Sequence, residues 1–251
     1  MPRIAKTIIP RIRKSLRERG LVKSLGRSFL LPIHLLKEYR SARDLHPDEF
    51  QSEFDRAHGV NTEGELGGWT YLSDLNIASP NWIDGHDYAA IEPERFNSVL
   101  ASFHIAMEEY TFVDFGSGKG RALLLASEFP FKRIIGLEFS PELHRIAGEN
   151  IHRYLSKTQK CVNVESLNID FVDFVLPSEP TVLFFFDPCR LPILKKVLDR
   201  IGQSLFADPR PITIVYVAPR AEVTELFAAA DFLKAVSSST DLNFIVYSSI
   251  R

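Results

Sequence analysis

The stretch that decides the fold of this protein is Thr111-Phe112-Val113-Asp114-Phe115-Gly116-Ser117-Gly118-Lys119-Gly120-Arg121. A short apolar run bounded by glycines is typical of a buried strand, and the Ala-Leu segment that follows is typical of a helix packed on a sheet. Glycine at the joint permits positive φ and lets a ligand approach the backbone. The stretch therefore predicts strand, tight loop and helix, with the free N–H groups of the first helical turn available to an anion.

The spacing of the glycines separates three kinds of nucleotide-binding loop. A phosphate-binding P-loop needs Gly-x-x-x-x-Gly-Lys followed by Ser or Thr, but Gly120 follows Lys119 and Val113 stands where the first glycine belongs. The dinucleotide fingerprint Gly-x-Gly-x-x-Gly needs its third glycine where the chain has Arg121. A nicotinamide-dependent oxidoreductase is therefore an alternative class of enzyme, but the loop of this chain lacks the third glycine that such an enzyme needs.

The pattern Asp114-x-Gly116-x-Gly118-x-Gly120 resembles the first motif of class I S-adenosylmethionine-dependent methyltransferases. The full sequence of residues 114–121 resembles that motif in a bacterial group of these enzymes. The resemblance covers about residues 88–250 as an ordered series of motifs. It implies an α/β fold with a doubly wound, seven-stranded sheet that is mostly parallel and ends in an antiparallel hairpin. It also implies S-adenosylmethionine as the cofactor.

A second landmark is the strand predicted over residues 133–138, which ends in Glu138 eighteen residues after Gly120. A carboxylate at the carboxyl end of that strand can accept hydrogen bonds from both ribose hydroxyls. The resemblance assigns the glycine loop to the methionine part of the cofactor and Asp114 to its ammonium end. The loop residues in this set are Gly116, Ser117, Gly118 and Gly120.

A third strand, predicted over residues 161–167, leads to Asp170 and Phe171. The resemblance implies that Asp170 accepts from the adenine amino group while Phe171 covers the ring. In the alternative interpretation, Asp170 is the N-cap of a short helix that runs through Phe174.

The most apolar segment, residues 181–186, predicts a central strand covered on both faces. It leads into Asp187-Pro188-Cys189-Arg190, where the family has Asn or Asp followed by Pro-Pro and an aromatic residue. Because the chain departs from that motif after Pro188, amine methylation does not carry over. We expect Asp187 to orient the nucleophile or take its proton, with Tyr88 as a second catalytic candidate and His86 behind them. Arg190 is a candidate partner for an anionic substrate.

Three segments organise the chain: a basic amphipathic leader at 1–40, a polar and turn-rich cap or lid at 41–90, and the S-adenosylmethionine-binding domain at 91–251. A short element around Tyr88 resembles one that lies beside the cofactor's methionine moiety in related enzymes. The alternative is that Tyr88 and Trp82 fill a small core of the cap. The other predicted elements are helices over 94–107, 141–154, 191–206 and 222–230 and strands over 211–217, 232–237 and 242–249.

The charge is unevenly distributed. Of the 30 Lys and Arg and 32 Asp and Glu residues, eleven and two lie in residues 1–40, which leaves 19 basic and 30 acidic residues in the rest. The leader therefore suits an anionic membrane surface, although packing on the acidic body is equally consistent with the pattern and an organellar leader is a third interpretation. The acidic body argues against nucleic acid as a partner.

The two cysteines, Cys161 and Cys189, form no Cys-x-x-Cys pair, so neither a disulfide framework nor a metal site is expected. The composition favours a cytoplasmic protein, and the basic leader would suit peripheral attachment to a membrane. The function expected is methyl transfer from S-adenosylmethionine to an N or O nucleophile of a small molecule or a protein. The alternative from another class is a non-catalytic, membrane-associated regulatory protein that binds S-adenosylmethionine.

Overall fold

A computed structural model describes residues 52–64 and 68–250 of the chain. The predicted leader at 1–40 and the beginning of the cap region lie outside these residues. In chain order the helices are α1 Glu53–His58, α2 Pro93–Leu100, α3 Arg121–Ala126, α4 Pro141–Arg153, α5 Leu191–Ala207 and α6 Ala221–Ala228. The strands are β1 Trp69–Thr70, β2 Tyr88–Ala89, β3 Thr111–Phe115, β4 Arg133–Glu138, β5 Val164–Asn168, β6 Thr181–Phe186, β7 Ile212–Val217, β8 Leu233–Ser239 and β9 Phe244–Ser249.

Within the described residues, seven strands form one sheet in the order β5-β4-β3-β6-β7-β9-β8. The five neighbouring strands β5, β4, β3, β6 and β7 pair in parallel. Strand β9 is antiparallel both to β7 and to β8. The predicted α/β sheet, mostly parallel with an antiparallel C-terminal hairpin, is confirmed. The order places β3, β4 and β6 side by side, so that the segments after these strands meet at one edge.

Successive residues of the central strands supply two separate cores, one on each face of the sheet. On β6, Leu183 and Phe185 pack with α5 and α6, whereas Val182 and Phe184 pack with α2 and α3. Strands covered on both faces need this continuous apolar character, which explains why β6 reads as an unbroken hydrophobic run. No helix in the described part of the chain is both long and apolar enough to cross a bilayer.

Three predicted boundaries are wrong, each for a local reason. Helix α2 ends at Leu100 rather than 107, because the Ser102 hydroxyl donates to the Val99 carbonyl at 2.6 Å and satisfies a helix end there. Strand β5 begins at Val164 rather than 161, because the N–H of Cys161 is bonded to the Ser127 carbonyl at 2.9 Å. The hairpin turn comes two residues later than predicted, since β8 continues through Ser239.

Residues 52–64, which we call the anchor segment, are fastened to the glycine loop by a buried polar network. Asp55 is 1 % exposed and accepts hydrogen bonds from the backbone N–H of Thr62 at 2.8 Å and of Glu63 at 2.9 Å. Arg121, 4 % exposed, brings Nη2 to 3.3 Å from Asp55 Oδ1 and 3.2 Å from Glu63 Oε2. Its guanidinium also lies over the Phe54 ring, 4.6 Å from the centroid.

A second contact holds the same segment from α4. The side-chain amide of Asn150 donates to the backbone carbonyls of Asn61 and Lys119, both at 2.8 Å, and its Oδ1 accepts from the Asn61 N–H at 2.8 Å. The Lys119 ammonium donates to the Glu63 carbonyl at 2.8 Å. Because the anchor segment binds Lys119 and Arg121, it fixes the two residues on either side of Gly120.

We expect Arg121→Met to destabilise the protein by about 3–5 kcal/mol, since it leaves the Asp55 carboxylate buried without its cation. Urea unfolding followed by circular dichroism measures this change. Arg145→Met on α4 is the matched control, because Arg145 makes an exposed i,i+4 pair with Glu149; its effect should stay within about 0.5 kcal/mol. Equal effects of the two substitutions would contradict a structural role for the buried pair.

Candidate functional site

The candidate site lies at the carboxyl edge of the parallel strands, where open α/β sheets bind ligands. The glycine loop between β3 and α3 contains Gly116, Gly118 and Gly120 with φ values of 87°, 53° and 87°. An L side chain rarely adopts such φ values, so the loop needs glycine at all three positions. The predicted strand, tight loop and helix are therefore present as the spacing indicated.

Glu138 at the end of β4 holds this loop in place. Its side chain is 3 % exposed; Oε2 accepts from the Gly118 N–H at 2.9 Å, and Oε1 accepts from the Ser140 N–H at 2.7 Å. Each carboxylate oxygen has a second lone pair, which leaves capacity for ligand hydroxyls. Burial raises the pKa of Glu138 to about 7 against these two backbone hydrogen bonds, which lower it.

Tyr88 packs against the glycine loop from the cap. A Cβ built on Gly118 would come within 2.0 Å of Tyr88 Cε2, so the aromatic ring occupies the space that a side chain at 118 would need. The Tyr88 hydroxyl donates to the Thr62 carbonyl at 2.6 Å, and burial raises the pKa of this phenol. The structure thus commits the hydroxyl to the anchor segment and leaves the ring beside the loop.

Asp114 lies beneath the loop on β3 and is 4 % exposed. Burial, together with the nearby Glu138 carboxylate, raises the pKa of Asp114 to about 8. Two buried carboxyl groups that are both hard to ionise therefore lie at this end of the sheet. A positively charged ligand group would offset the cost of their ionisation, which is a property expected of a cation-binding site.

Asp170 caps a short helix and also binds the cap. Its Oδ1 accepts from the Val172 N–H at 3.1 Å, at the start of the 3₁₀ helix Phe171–Asp173, so the N-cap alternative is realised. Its Oδ2 accepts from the Ser79 hydroxyl at 2.5 Å and from the Asn81 amide at 2.8 Å. Phe171 packs against Phe115 with ring centroids 5.7 Å apart. The Asp170 carboxylate thus joins the sheet edge to the cap.

Most of the predicted site residues surround one space of about 70 Å³, which we call the inner cavity. Its walls include Tyr88, Gly116, Glu138, Asp170, Phe171 and Asp187. Asp114 and Ser117 line an adjoining recess that shares Tyr88 and Gly116 with the cavity. Gly118 and Gly120 complete the loop through their backbone. The sequence prediction thus named residues that the fold brings together at one edge of the sheet.

Asp187, at the end of β6, lies in a cluster of polar side chains and has a strained backbone with φ of 39°. Its Oδ1 accepts from the Tyr216 hydroxyl at 3.0 Å and lies 3.3 Å from Arg220 Nη2. His86 Nδ1 lies 2.6 Å from the Asp187 backbone oxygen and 3.2 Å from its Oδ2. Non-glycine residues with positive φ concentrate at functional sites, where the surrounding structure maintains the strain.

The contacts of His86 define its tautomer. The carbonyl oxygen of Asp187 only accepts, so Nδ1 carries the hydrogen; the Arg220 guanidinium only donates, so Nε2, 3.3 Å from Arg220 Nη2, is the accepting nitrogen. The neutral tautomer that fits these contacts has its hydrogen on Nδ1, facing the Asp187 carbonyl oxygen, and a lone pair on Nε2. A histidine whose Nδ1 is bound by a backbone carbonyl oxygen, with a carboxylate nearby, is suited to proton transfer.

A second space of about 700 Å³, the outer cleft, adjoins the inner cavity. Arg95, Arg190 and Arg220 line it, together with Trp69 and Ala218. Five residues line both spaces: His86, Asp87, Ala89, Phe186 and Asp187. The inner cavity and the outer cleft therefore share a wall, and the His86–Asp187 pair lies in it.

Sequence reasoning missed several residues of this site. Tyr216 and Arg220 were unrecognised, although both lie at the end of β7, next to β6 in the sheet. The available signal was positional, because a polar residue at the carboxyl end of a parallel strand faces the same edge as Asp187. Ser79 and Asn81 gave no such signal, since they lie in an irregular segment. In the described part of the chain, no three His, Cys, Asp or Glu side chains are grouped to hold a metal ion.

We expect the stability of the protein to fall as pH rises from about 4 to 8, because the folded state holds protons on Asp114 and Glu138 that the unfolded chain releases near its ordinary pKa values. Asp114→Asn removes one of these groups and should flatten the decline. Urea unfolding at several pH values measures it, with the exposed Asp199→Asn on α5 as the control. Parallel curves for wild type and Asp114→Asn would contradict the burial argument.

Comparison with known proteins gave matches among solved structures alone. No protein-family model matches the sequence, and no curated protein matches it. A methyltransferase structure from Pseudomonas syringae matches with a TM-score of 0.46 and 12% identity, covering 63% of this chain and 97% of that one. A SAM-dependent methyltransferase from Aquifex aeolicus matches with a TM-score of 0.45 and 16% identity, covering 64% and 98% of the two chains.

A third similar structure is an RNA methyltransferase from Salinibacter ruber in complex with S-adenosyl-L-homocysteine, with a TM-score of 0.39 and 20% identity over 64% of this chain and 92% of that one. These proteins resemble the chain in backbone fold. At such identities and scores the similarity supports no conclusion about activity, which rests instead on the residues of the site.

Proposed function

We propose that this protein is an S-adenosylmethionine-dependent methyltransferase, with the methyl donor in the inner cavity and the acceptor in the outer cleft. The observation that carries the proposal is the wall shared by the two spaces, which contains His86 and Asp187. Transfer between two bound molecules requires adjacent sites that hold the reacting atoms in line. A non-catalytic regulator would need the inner cavity alone, so the shared wall with a second space favours a transferase.

The residues around the inner cavity fit the proposed cofactor. The backbone of the glycine loop offers close approach to the methionine part, and Glu138 retains acceptor capacity for the ribose hydroxyls. Asp114 and Glu138 resist ionisation in the ligand-free protein, and the positive charges of the cofactor would favour their charged forms. When bound, S-adenosylmethionine supplies an electrophilic methyl group on a sulfonium.

The contacts of Asp170 and Tyr88 refine their expected roles. Asp170 already accepts from Ser79, Asn81 and Val172, so we assign it to anchoring the cap and assign Phe171 to the adenine ring. Tyr88 has its hydroxyl bound to the Thr62 carbonyl and its pKa raised, so we assign it to shaping the loop rather than to proton transfer.

Entry of the cofactor requires movement of the cap. The inner cavity of about 70 Å³ is smaller than the roughly 300 Å³ at the lower end of small-molecule sites. The cap is held across this cavity by the hydrogen bonds of Ser79 and Asn81 to Asp170. The backbone N–H of His86 also donates to the Pro188 carbonyl at 3.0 Å. Opening of these few polar contacts would admit the ligand, and their closure would exclude water from the reaction.

The proton of the acceptor has a defined destination in this arrangement. His86 Nε2 is placed to take the proton from a hydroxyl or amine in the outer cleft, while Asp187 holds Nδ1–H and stabilises the imidazolium. Tyr216 in turn fixes Asp187 through its 3.0 Å hydrogen bond. The catalytic role expected for Asp187 thus becomes one of orienting His86, which touches the acceptor.

Gly118→Ala should weaken S-adenosylmethionine binding at least tenfold, because the left-handed φ costs about 1–2 kcal/mol for an L residue and the new Cβ would overlap Tyr88. Isothermal titration calorimetry measures the affinity. Gly148→Ala on α4 is the matched control, since a Cβ there meets no atom within 4 Å. Unchanged affinity in Gly118→Ala would contradict the loop assignment.

Methyl transfer itself is tested with S-adenosylmethionine carrying a radiolabelled methyl group, incubated with the protein and with cell extracts separated into small molecules and proteins. We expect label in an acceptor, and we expect His86→Gln to lower the rate by about 10²–10⁴ while leaving cofactor affinity unchanged, because it removes the proton acceptor. Tight cofactor binding without label transfer in any fraction would favour the non-catalytic regulator.

A further inference from the structure

The outer cleft has a composition unlike that of the body around it. Three arginines, Arg95, Arg190 and Arg220, line it against two carboxylates, Asp87 and Asp187. The chain beyond residue 40 has 19 basic and 30 acidic residues, so a cleft with an excess of positive charge runs against the overall balance. An excess of positive charge in a cleft favours the binding of anionic ligands.

Two of the three arginines, Arg95 and Arg220, are held in position by contacts with neighbouring residues. Arg95 donates to the backbone carbonyls of Leu242 at 3.1 Å and Asn243 at 3.2 Å, and its guanidinium lies 5.5 Å from the centroid of the Phe186 ring. Arg220 Nη2 is held between Asp187 and His86, at 3.3 Å from each. Side chains fixed in this way lose little entropy when an anion binds, which favours recognition by their planar donor groups.

A strained backbone lies two residues before Arg220. Ala218 directly follows β7 and has φ of 59°, and its N–H donates to the carbonyl of Asn243, itself at φ of 48°, at 2.7 Å. Asp187 has the corresponding strained position after the neighbouring strand β6, with φ of 39°. Left-handed φ at alanine has no local reason in the sequence, so the fold maintains it where it redirects the chain toward the shared wall.

We propose that the methyl acceptor is a small molecule with a carboxylate or phosphate group, which Arg190 and Arg220 bind in the outer cleft. This inference rests on the proposed function and names its substrate class. Arginine forks match both anions through paired N–H···O bonds, and among residues 52–64 and 68–250 Nη1 of Arg220 makes no hydrogen bond. The volume of about 700 Å³ suits a small molecule.

The same binding event prepares His86. In the ligand-free arrangement Arg220 donates to His86 Nε2, the atom that would receive the acceptor's proton. An anion that draws the Arg220 guanidinium to itself frees this lone pair. Binding of the acceptor therefore completes the proton-transfer site. When water alone enters the cleft, Nε2 stays hydrogen-bonded to Arg220.

Equilibrium dialysis tests the binding step with radiolabelled inorganic phosphate and citrate, at constant ionic strength and saturating S-adenosylhomocysteine. We expect the wild type to retain at least one of them with a dissociation constant on the order of 1 mM. Arg190→Met and Arg220→Met should each weaken it about tenfold, since methionine keeps the apolar stem and removes the charge-assisted hydrogen bonds. Arg145→Met on α4 is the control and should retain the wild-type affinity.

The outcomes of dialysis distinguish the two anion sources. Retention of phosphate alone supports a phosphorylated acceptor, and retention of citrate alone supports a carboxylic acid. Retention of neither anion by the wild type, or equal retention by the wild type and both cleft variants, overturns the proposal.

A second experiment separates failure of this inference from failure of the proposed function. A small-molecule extract is divided on an anion-exchange resin, and both fractions are incubated with the protein and a radiolabelled methyl donor. Label confined to the retained, anionic fraction supports the inference. Label confined to the unretained fraction overturns it while the transferase assignment stands, whereas anion binding without label in either fraction supports the anion site and contradicts the transferase.

Discussion

The shape of the glycine loop is the constraint on which the other features depend. Three residues with left-handed φ turn the chain sharply between β3 and α3, and such a turn needs support from outside because its own hydrogen bonds are few. Glu138 supplies that support from the neighbouring strand, Tyr88 from the cap, and Arg121 connects the loop to the anchor segment. Parts of the chain far apart in sequence are thus tied to the glycine loop and to Arg121, which directly follows it.

This arrangement maintains two carboxyl groups in surroundings that oppose their ionisation. Asp114 and Glu138 lie under the loop with little access to water, which a fold selected for stability alone would avoid. Natural proteins accept such costs where a ligand requires them. Asp187 and Ala218, which follow the adjacent strands β6 and β7, have strained backbones that are also unfavourable to stability. The unfavourable features of the described residues thus concentrate at one edge of the sheet.

The sequence predicted the sheet and the loop because both depend on local patterns. Continuous apolar runs identify strands covered on both faces, and the alternating glycines identify a turn that other residues cannot make. The polar contacts between distant segments were beyond such reasoning: Arg220 and His86 are 134 residues apart, and Arg121 and Asp55 are 66 apart. The prediction of the outer cleft was therefore incomplete, since Arg220 belongs to no motif and follows an irregular turn.

The position of β9 between β7 and β8 has a consequence for the order of folding. Residues 244–249 pair with β7 on one side and β8 on the other, and the Ala218 N–H that shapes the outer cleft is bonded to Asn243. During synthesis, the parallel strands and the glycine loop emerge from the ribosome before this segment does. The glycine loop and the inner cavity can thus assemble on the nascent chain, whereas the outer cleft is completed when β9 is inserted.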